Sequence, residues 1–156
     1  MTIVLPITLT IAGAAALING WIGYRVSQLR HRYNILIGDG GNAALTARMR
    51  AHSNFVEHAP FFLILLGLVE AAEGSQNWLW VVAALFVVAR ILHVFGMDGT
   101  RNVRLRVVGI VLSQLALLAL ALYALAIPYL HKSAKETITY ARASTLSATN
   151  GLVRRS

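Results

Sequence analysis

Arg50, Asn54, Glu57 and His58 crowd into RAHSNFVEHAP, directly ahead of the apolar run FFLILLGLV. A helix turns about 100° per residue, so spacings of four, three and one place all four on one face. Arg90 and His93, three apart in RILHVFG, share a face of another apolar segment in the same way. A charge at the bilayer centre costs about 2.5–3.5 kcal/mol on insertion scales, so such residues turn inward and pair. Glu57 and Arg90 are the natural partners, because an antiparallel hairpin brings them to one depth. A functional site and a device for fixing helix packing are both open readings of that pair. A proton relay through Glu57 and His93 is a further one. His52 and His58 are six apart, which puts them on different helix faces and argues against a metal site.

The elements that must carry these residues belong to a membrane. The chain has 156 residues, 57% of them hydrophobic and only 13% charged, which lies outside the soluble globular range. Its formal charge of +8 sits beside long apolar runs and not in a basic domain with interleaved aromatics, so nucleic acid is not an expected partner. With no cysteine, a disulfide framework and a thiolate metal site are both excluded.

About 20 apolar residues cross roughly 30 Å of hydrocarbon. Four segments meet or approach that length, at about 4–26, 54–72, 77–97 and 106–130, and predict an all-α integral membrane protein built as a four-helix transmembrane bundle. The first lacks the basic n-region of a signal peptide and is read as a retained span. The second, bracketed by Glu57 and Glu70, works only within a longer helix; GDGGN is a turn signal, and Asn42 can cap a helix that begins at Ala43 and runs through Arg50. Residues 1–131 form one membrane domain, and 132–156 read as a polar tail, mobile or weakly helical. Arg25, Arg30, Arg32, Arg48 and Arg50 lie between the first two spans, and Arg101, Arg104 and Arg106 between the last two. The positive-inside rule places both connections in the cytoplasm and both termini outside. Groups from the connection after span one, the start of span two, the end of span three and the start of span four then converge at one cytoplasmic level.

No nucleophile elbow, Walker loop or dinucleotide fingerprint is present. The order R-A-x-x-N-x-x-E (Arg50, Ala51, Asn54, Glu57), R-x-x-H (Arg90, His93) and RLRVVG across four spans resembles the MAPEG family, membrane-associated proteins in eicosanoid and glutathione metabolism. The resemblance covers about residues 4–128 and suits a bacterial member in the inner membrane. It implies a homotrimer holding glutathione, as co-substrate and without a metal, between neighbouring subunits near the cytoplasmic end. It carries glutathione binding to Arg50, Asn54 and Glu57, to Arg90 and His93 on the third helix, and to Arg30, with Arg32 as its alternative. It gives the thiolate-stabilising arginine as Arg106, with Arg104 as the alternative. Four positions depart from the family pattern: His58 follows Glu57, His93 and Met97 stand where a third-helix tyrosine is common, and Val107 lacks the hydroxyl of the prostaglandin-forming branch.

Glutathione has two carboxylates and one ammonium, so a site for it needs fixed cations and an anion. The implied activity is a membrane transferase or peroxidase that attacks small lipophilic electrophiles or hydroperoxides with the thiolate. Two other classes remain open: a non-enzymatic module of the same fold that binds an anionic lipid or a partner protein, and a small proton-linked transporter.

Overall fold

In a computed structural model, the backbone is described for residues 4–98 and 103–153, and the side chains for 4–98 and 103–130. The chain is all-helical: α1 Pro6–Tyr33, α2 Ala43–Glu73, α3 Asn77–Gly96 and α4 Val103–Val153. Each of the first three, and Val103–Leu130 of the fourth, is long and apolar enough to cross a membrane. At 1.5 Å per residue the 31 residues of α2 extend about 46 Å, so the span between its two glutamates is one part of a longer rod. Asn42 caps that rod, its Oδ1 accepting from the Leu45 amide at 3.0 Å. In the connection before it, Gly38, Gly40 and Gly41 all have positive φ, where a Cβ would be strained.

Buried positions recur at helical spacing. α2 contributes Leu45, Phe55, Ala59, Phe62, Leu66 and Val69; α3 contributes Leu79, Ala83, Phe86 and Ala89. Phe62 and Phe86 stack with centroids 3.8 Å apart at the middle of this seam. The outer faces carry exposed Leu9, Leu17, Val81 and Leu118, as expected of surfaces that meet lipid. Three charged groups lie in the buried stripes: Arg25 in α1, Glu70 in α2 and Arg90 in α3.

At the end of the bundle where α1 begins, Glu70 solves a local problem. Leu5, the N-cap of α1, has no side chain that can accept from the first turn. Glu70 reaches across from α2 and accepts from the Ile7 amide (2.9 Å), the Thr8 amide (2.8 Å), the Thr8 hydroxyl (2.7 Å) and the Ser75 hydroxyl (2.7 Å). Its charge also sits at the positive end of the α1 dipole. A buried carboxylate is stable here because its oxygens are occupied.

The opposite end is held by Asp98, which pairs with Arg25 of α1 and, at 3.4 Å, with Arg48 of α2. Arg48 also donates to the Arg25 carbonyl at 2.9 Å, and the Arg25 guanidinium lies over the Trp21 ring. The crossing of α3 and α4 is set by two glycines. A Cβ on Gly96 would strike the backbone of Arg106, and one on Gly109 would come within 2.6 Å of the Ala89 carbonyl. The two helices therefore touch backbone to backbone.

Packing divides the chain at Ala121. The second unit is helical by its backbone from Leu122 through Val153, which takes in the end of the fourth expected span and residues 132–153 of the expected tail. Its Ala, Lys, Glu and Arg are strong helix formers, and it contains no glycine before Gly151.

Candidate functional site

Three helix ends enclose a cleft of about 470 Å³. Arg50, Asn54 and Glu57 enter it from α2, His93 from α3 and Arg106 from the first turn of α4. The shared face of α2 thus faces the end of α3, as helical spacing implies. Arg106 arrives there because Gly96 and Gly109 let the start of α4 lie against α3. Ser53, Met97, Val107 and Ile110 complete the walls. In the sequence Val107 stands out only as a departure from the family pattern, and Ile110 not at all; the signal for Ile110 is its place four residues on from Arg106 on the same helix face.

Arg90 lies behind this cleft, 1% exposed. Its Nη1 donates to Asn54 Oδ1 at 2.6 Å, and its guanidinium lies 5.4 Å from the centre of the Phe86 ring. Its Nε and Nη2 have no hydrogen-bond partner among the described residues. The expected Glu57–Arg90 pair does not form: the ion pairs among the described residues are those of Asp98, and Glu57 is exposed at the cleft rim. Depth brings the two residues level, but Glu57 is turned about 60° from Asn54 around α2. That rotation gives Asn54 the buried arginine and leaves Glu57 open.

Hydrogen bonding assigns the roles of the amide and imidazole groups. Asn54 spends its side-chain oxygen on Arg90, so its two amide hydrogens remain available. His93 Nδ1 faces the Arg106 carbonyl at 3.3 Å and must carry the hydrogen, which leaves Nε2 as an acceptor. His58 follows the same logic. Its Nδ1 donates to the Asn54 carbonyl at 2.8 Å, and its Nε2 accepts from Gln114 of α4, also at 2.8 Å. His52 lies elsewhere, bonded to Asn19 of α1 at 3.0 Å.

The remaining sequence candidates do not reach this cleft. Arg30 donates to the Leu36 carbonyl at 3.2 Å and lies against the Met49 sulfur at 3.5 Å. Arg32 is exposed, with its guanidinium 5.9 Å from the Tyr33 ring, and Arg104 is exposed on the first turn of α4. The cleft itself holds Arg50 and Arg106 with Glu57 on its walls and Arg90 behind them. Three cations against one carboxylate suit a ligand that is anionic overall yet carries a positive group.

Two curated relatives match part of the chain: the inner membrane protein YecN of Escherichia coli strain K12 and that of the O6:H1 strain CFT073. Each is 31% identical over 74 residues, which is 47% of this chain and 56% of the relative. The chain thus spans little more than half the length of the relatives it matches. The model of the MAPEG family matches residues 8–126, from the first turn of α1 to well into α4 and through every residue of the cleft. With four membrane-length helices and a match over most of its length, this chain is an integral membrane protein that belongs to the MAPEG family.

Proposed function

We propose that the protein is a glutathione transferase or peroxidase of a bacterial inner membrane, with its cleft toward the cytoplasm and its termini on the far side. Membership of the family supports a membrane, glutathione-related role at family level. The observation that carries the finer reading is Arg90: a buried guanidinium with two nitrogens unpartnered among the described residues, behind a cleft that also holds Arg50, Arg106 and Glu57. Charge-assisted bonds from Arg50 and Arg90 serve the glutathione carboxylates, and Glu57 answers the ammonium. Arg30 contributes through the cleft of a neighbouring subunit in a homotrimer.

Arg106 supplies the electrostatics of the reaction. A free thiol has a pKa of about 8.5, and a guanidinium within hydrogen-bonding reach favours the thiolate by about 1.4 kcal/mol for each unit of lowering. In the transferase reaction the thiol proton leaves to solvent, sulfur bonds to the electrophilic carbon and the leaving group departs with its electron pair. In the peroxidase reaction the thiolate attacks a hydroperoxide oxygen, the alcohol leaves, and a second glutathione converts the sulfenic acid to disulfide and water.

The test uses full-length protein in nanodiscs, with glutathione binding read by calorimetry and turnover read with a chlorodinitrobenzene. Arg106→Ala should lower kcat/KM by roughly 10²–10³-fold, the cost of losing one oxyanion-type donor, with glutathione affinity nearly kept. Absence of glutathione binding to the parent would sink the reading. Tight binding of anionic-lipid vesicles in its place would favour the non-enzymatic module.

A further inference from the structure

The most exposed large hydrophobic side chains among the described residues do not lie on a lipid-facing helix. Leu36 is 92% and Ile37 91% exposed, more than Leu17 (78%) on the outer face of α1, and both belong to the connection between α1 and α2. That connection is held by its own hydrogen bonds. The Ile35 amide donates to the Arg30 carbonyl at 3.0 Å, the Asn42 amide to the Asp39 carbonyl at 2.9 Å, and Arg30 Nη1 to the Leu36 carbonyl at 3.2 Å. Ile35 packs against Gly40, where a Cβ would come within 2.9 Å of its side chain. One apolar residue of NILIG is thus used inside the connection, and the next two are turned out. Basic groups stand beside them, because α1 ends in Arg30, His31 and Arg32. Asp39, the acidic group of the connection, already accepts from the Thr46 hydroxyl and the Gly41 amide. The outward surface is apolar at its tip and cationic at its base, the pattern of an interfacial segment.

Depth decides what covers this surface. The first turn of α1 lies against Glu70, which also accepts from Ser75 of the polar turn after α2, so the hydrocarbon begins near Pro6. Crossing about 30 Å at 1.5 Å per residue takes about 20 residues and ends near Val26. Trp21 and Tyr24, the latter 63% exposed, stand at that edge, where aromatic side chains collect. Arg30 is one turn further, roughly 6 Å, within the head-group layer of about 5–8 Å that flanks the hydrocarbon. Its guanidinium ties the Leu36 carbonyl to that layer. We infer that Leu36 and Ile37 insert into the bilayer interface at the arginine-rich end of the bundle, with the exposed Arg32 on the phosphates of anionic lipids there. The Asp39 side of the connection stays in water. A soluble partner would have to displace head groups to reach the same two side chains. The surface shares no residue with the cleft and does not depend on its chemistry. Its use follows from helix length: α1 and α2, with 28 and 31 residues, both exceed the hydrocarbon thickness, so length alone does not fix their height. An interfacial anchor between them does.

The chain has no cysteine, so one introduced thiol carries a label at one place. Leu36→Cys, Ile37→Cys and, as a lipid-facing reference, Leu17→Cys are labelled with nitrobenzoxadiazole in the full-length protein. Each is placed in nanodiscs of phosphatidylcholine alone or with phosphatidylglycerol, with and without lipids bearing a nitroxide near the head group or at mid-chain. At Leu36 and Ile37 the emission should shift to the blue and be quenched most by the head-group nitroxide, whereas the Leu17 label should respond most to the mid-chain one. Quenching at Leu36 should rise with phosphatidylglycerol, and Arg32→Gln should remove that rise. Water-like emission without quenching at both positions overturns the inference, because the connection then stands in solvent. Blue-shifted emission without quenching by either nitroxide also overturns it, because a second copy of the chain then covers the two residues. Equal quenching in both lipid mixtures overturns the assignment of Arg32 to anionic head groups.

Discussion

Glu70 and Arg90 are both almost wholly buried in helices that cross the membrane, yet their surroundings differ completely. Glu70 accepts from four donors, two of them backbone amides of the first turn of α1. Arg90 uses one nitrogen on Asn54 and leaves two without partners among the described residues. Both positions bear the cost of burying a charge, but only at Glu70 does the fold itself return the compensating interactions. A saturated charge marks a structural joint. An unsaturated one beside a cleft marks a place where a ligand completes the hydrogen bonding.

Breaking the saturated side should have the largest effect. Glu70→Ala strands four donors, and at roughly 1–3 kcal/mol for a buried unsatisfied group, with some recovered by rearrangement, a loss of about 3–5 kcal/mol is expected. Unfolding in mixed micelles reads this directly, and Glu70→Gln should recover part of it. Gly109→Ala comes next, because its Cβ would press on the Ala89 carbonyl. Overpacking of this kind costs about 1–3 kcal/mol, and turnover should fall further than stability because Arg106 moves with α4. Arg90→Met should cost less than about 1 kcal/mol in the same unfolding assay, since it removes a charge the empty fold does not satisfy. Its glutathione affinity should nevertheless fall by roughly tenfold or more, the loss of a charge-assisted bond. If Arg90→Met destabilises as severely as Glu70→Ala, the contrast between joint and site is wrong.

The smallest expected effect lies outside the membrane. Hydrogen bonds from the Thr46 hydroxyl and the Gly41 amide hold the Asp39 carboxyl below the usual carboxylate range. A depressed folded pKa means that the stabilisation is present above the unfolded pKa and is lost as pH falls through the folded one. Asp39→Asn should therefore flatten a slight fall in stability of the 34–42 connection at acid pH, seen as faster amide exchange at Leu45 and Thr46 in the parent alone. Equal acid sensitivity in both proteins would dismiss this role.

Much of this arrangement could be read before any coordinates. The GDGGN turn, the Asn42 cap and the shared face of Arg50, Asn54 and Glu57 follow from spacing and helix geometry, whereas the choice of Arg106 over Arg104 comes from the family resemblance. The Glu57–Arg90 pair could not be settled that way, because hydropathy fixes depth but not rotation about a helix axis. The partners of Glu70 were equally hidden: two of them are backbone amides, which every residue except proline possesses. Gly96 and Gly109 resemble ordinary membrane glycines until the helices that meet at them are known. Arg30 illustrates a different limit: its local partners, the Leu36 carbonyl and the Met49 sulfur, hold it away from the cleft of its own chain, and nothing in its spacing announces them.

The cap on α1 also constrains the order in which the protein can be completed. Thr8 enters the bilayer well before Glu70 is synthesised, because the acceptor lies 62 residues further along the chain. Until α2 has crossed and turned, the first turn of α1 must borrow water or lipid head groups for its amides. The earliest helix made is therefore sealed late, by the far end of the second. A ribosome stalled before Glu70 is made leaves an α1 whose first-turn amides are still open to exchange.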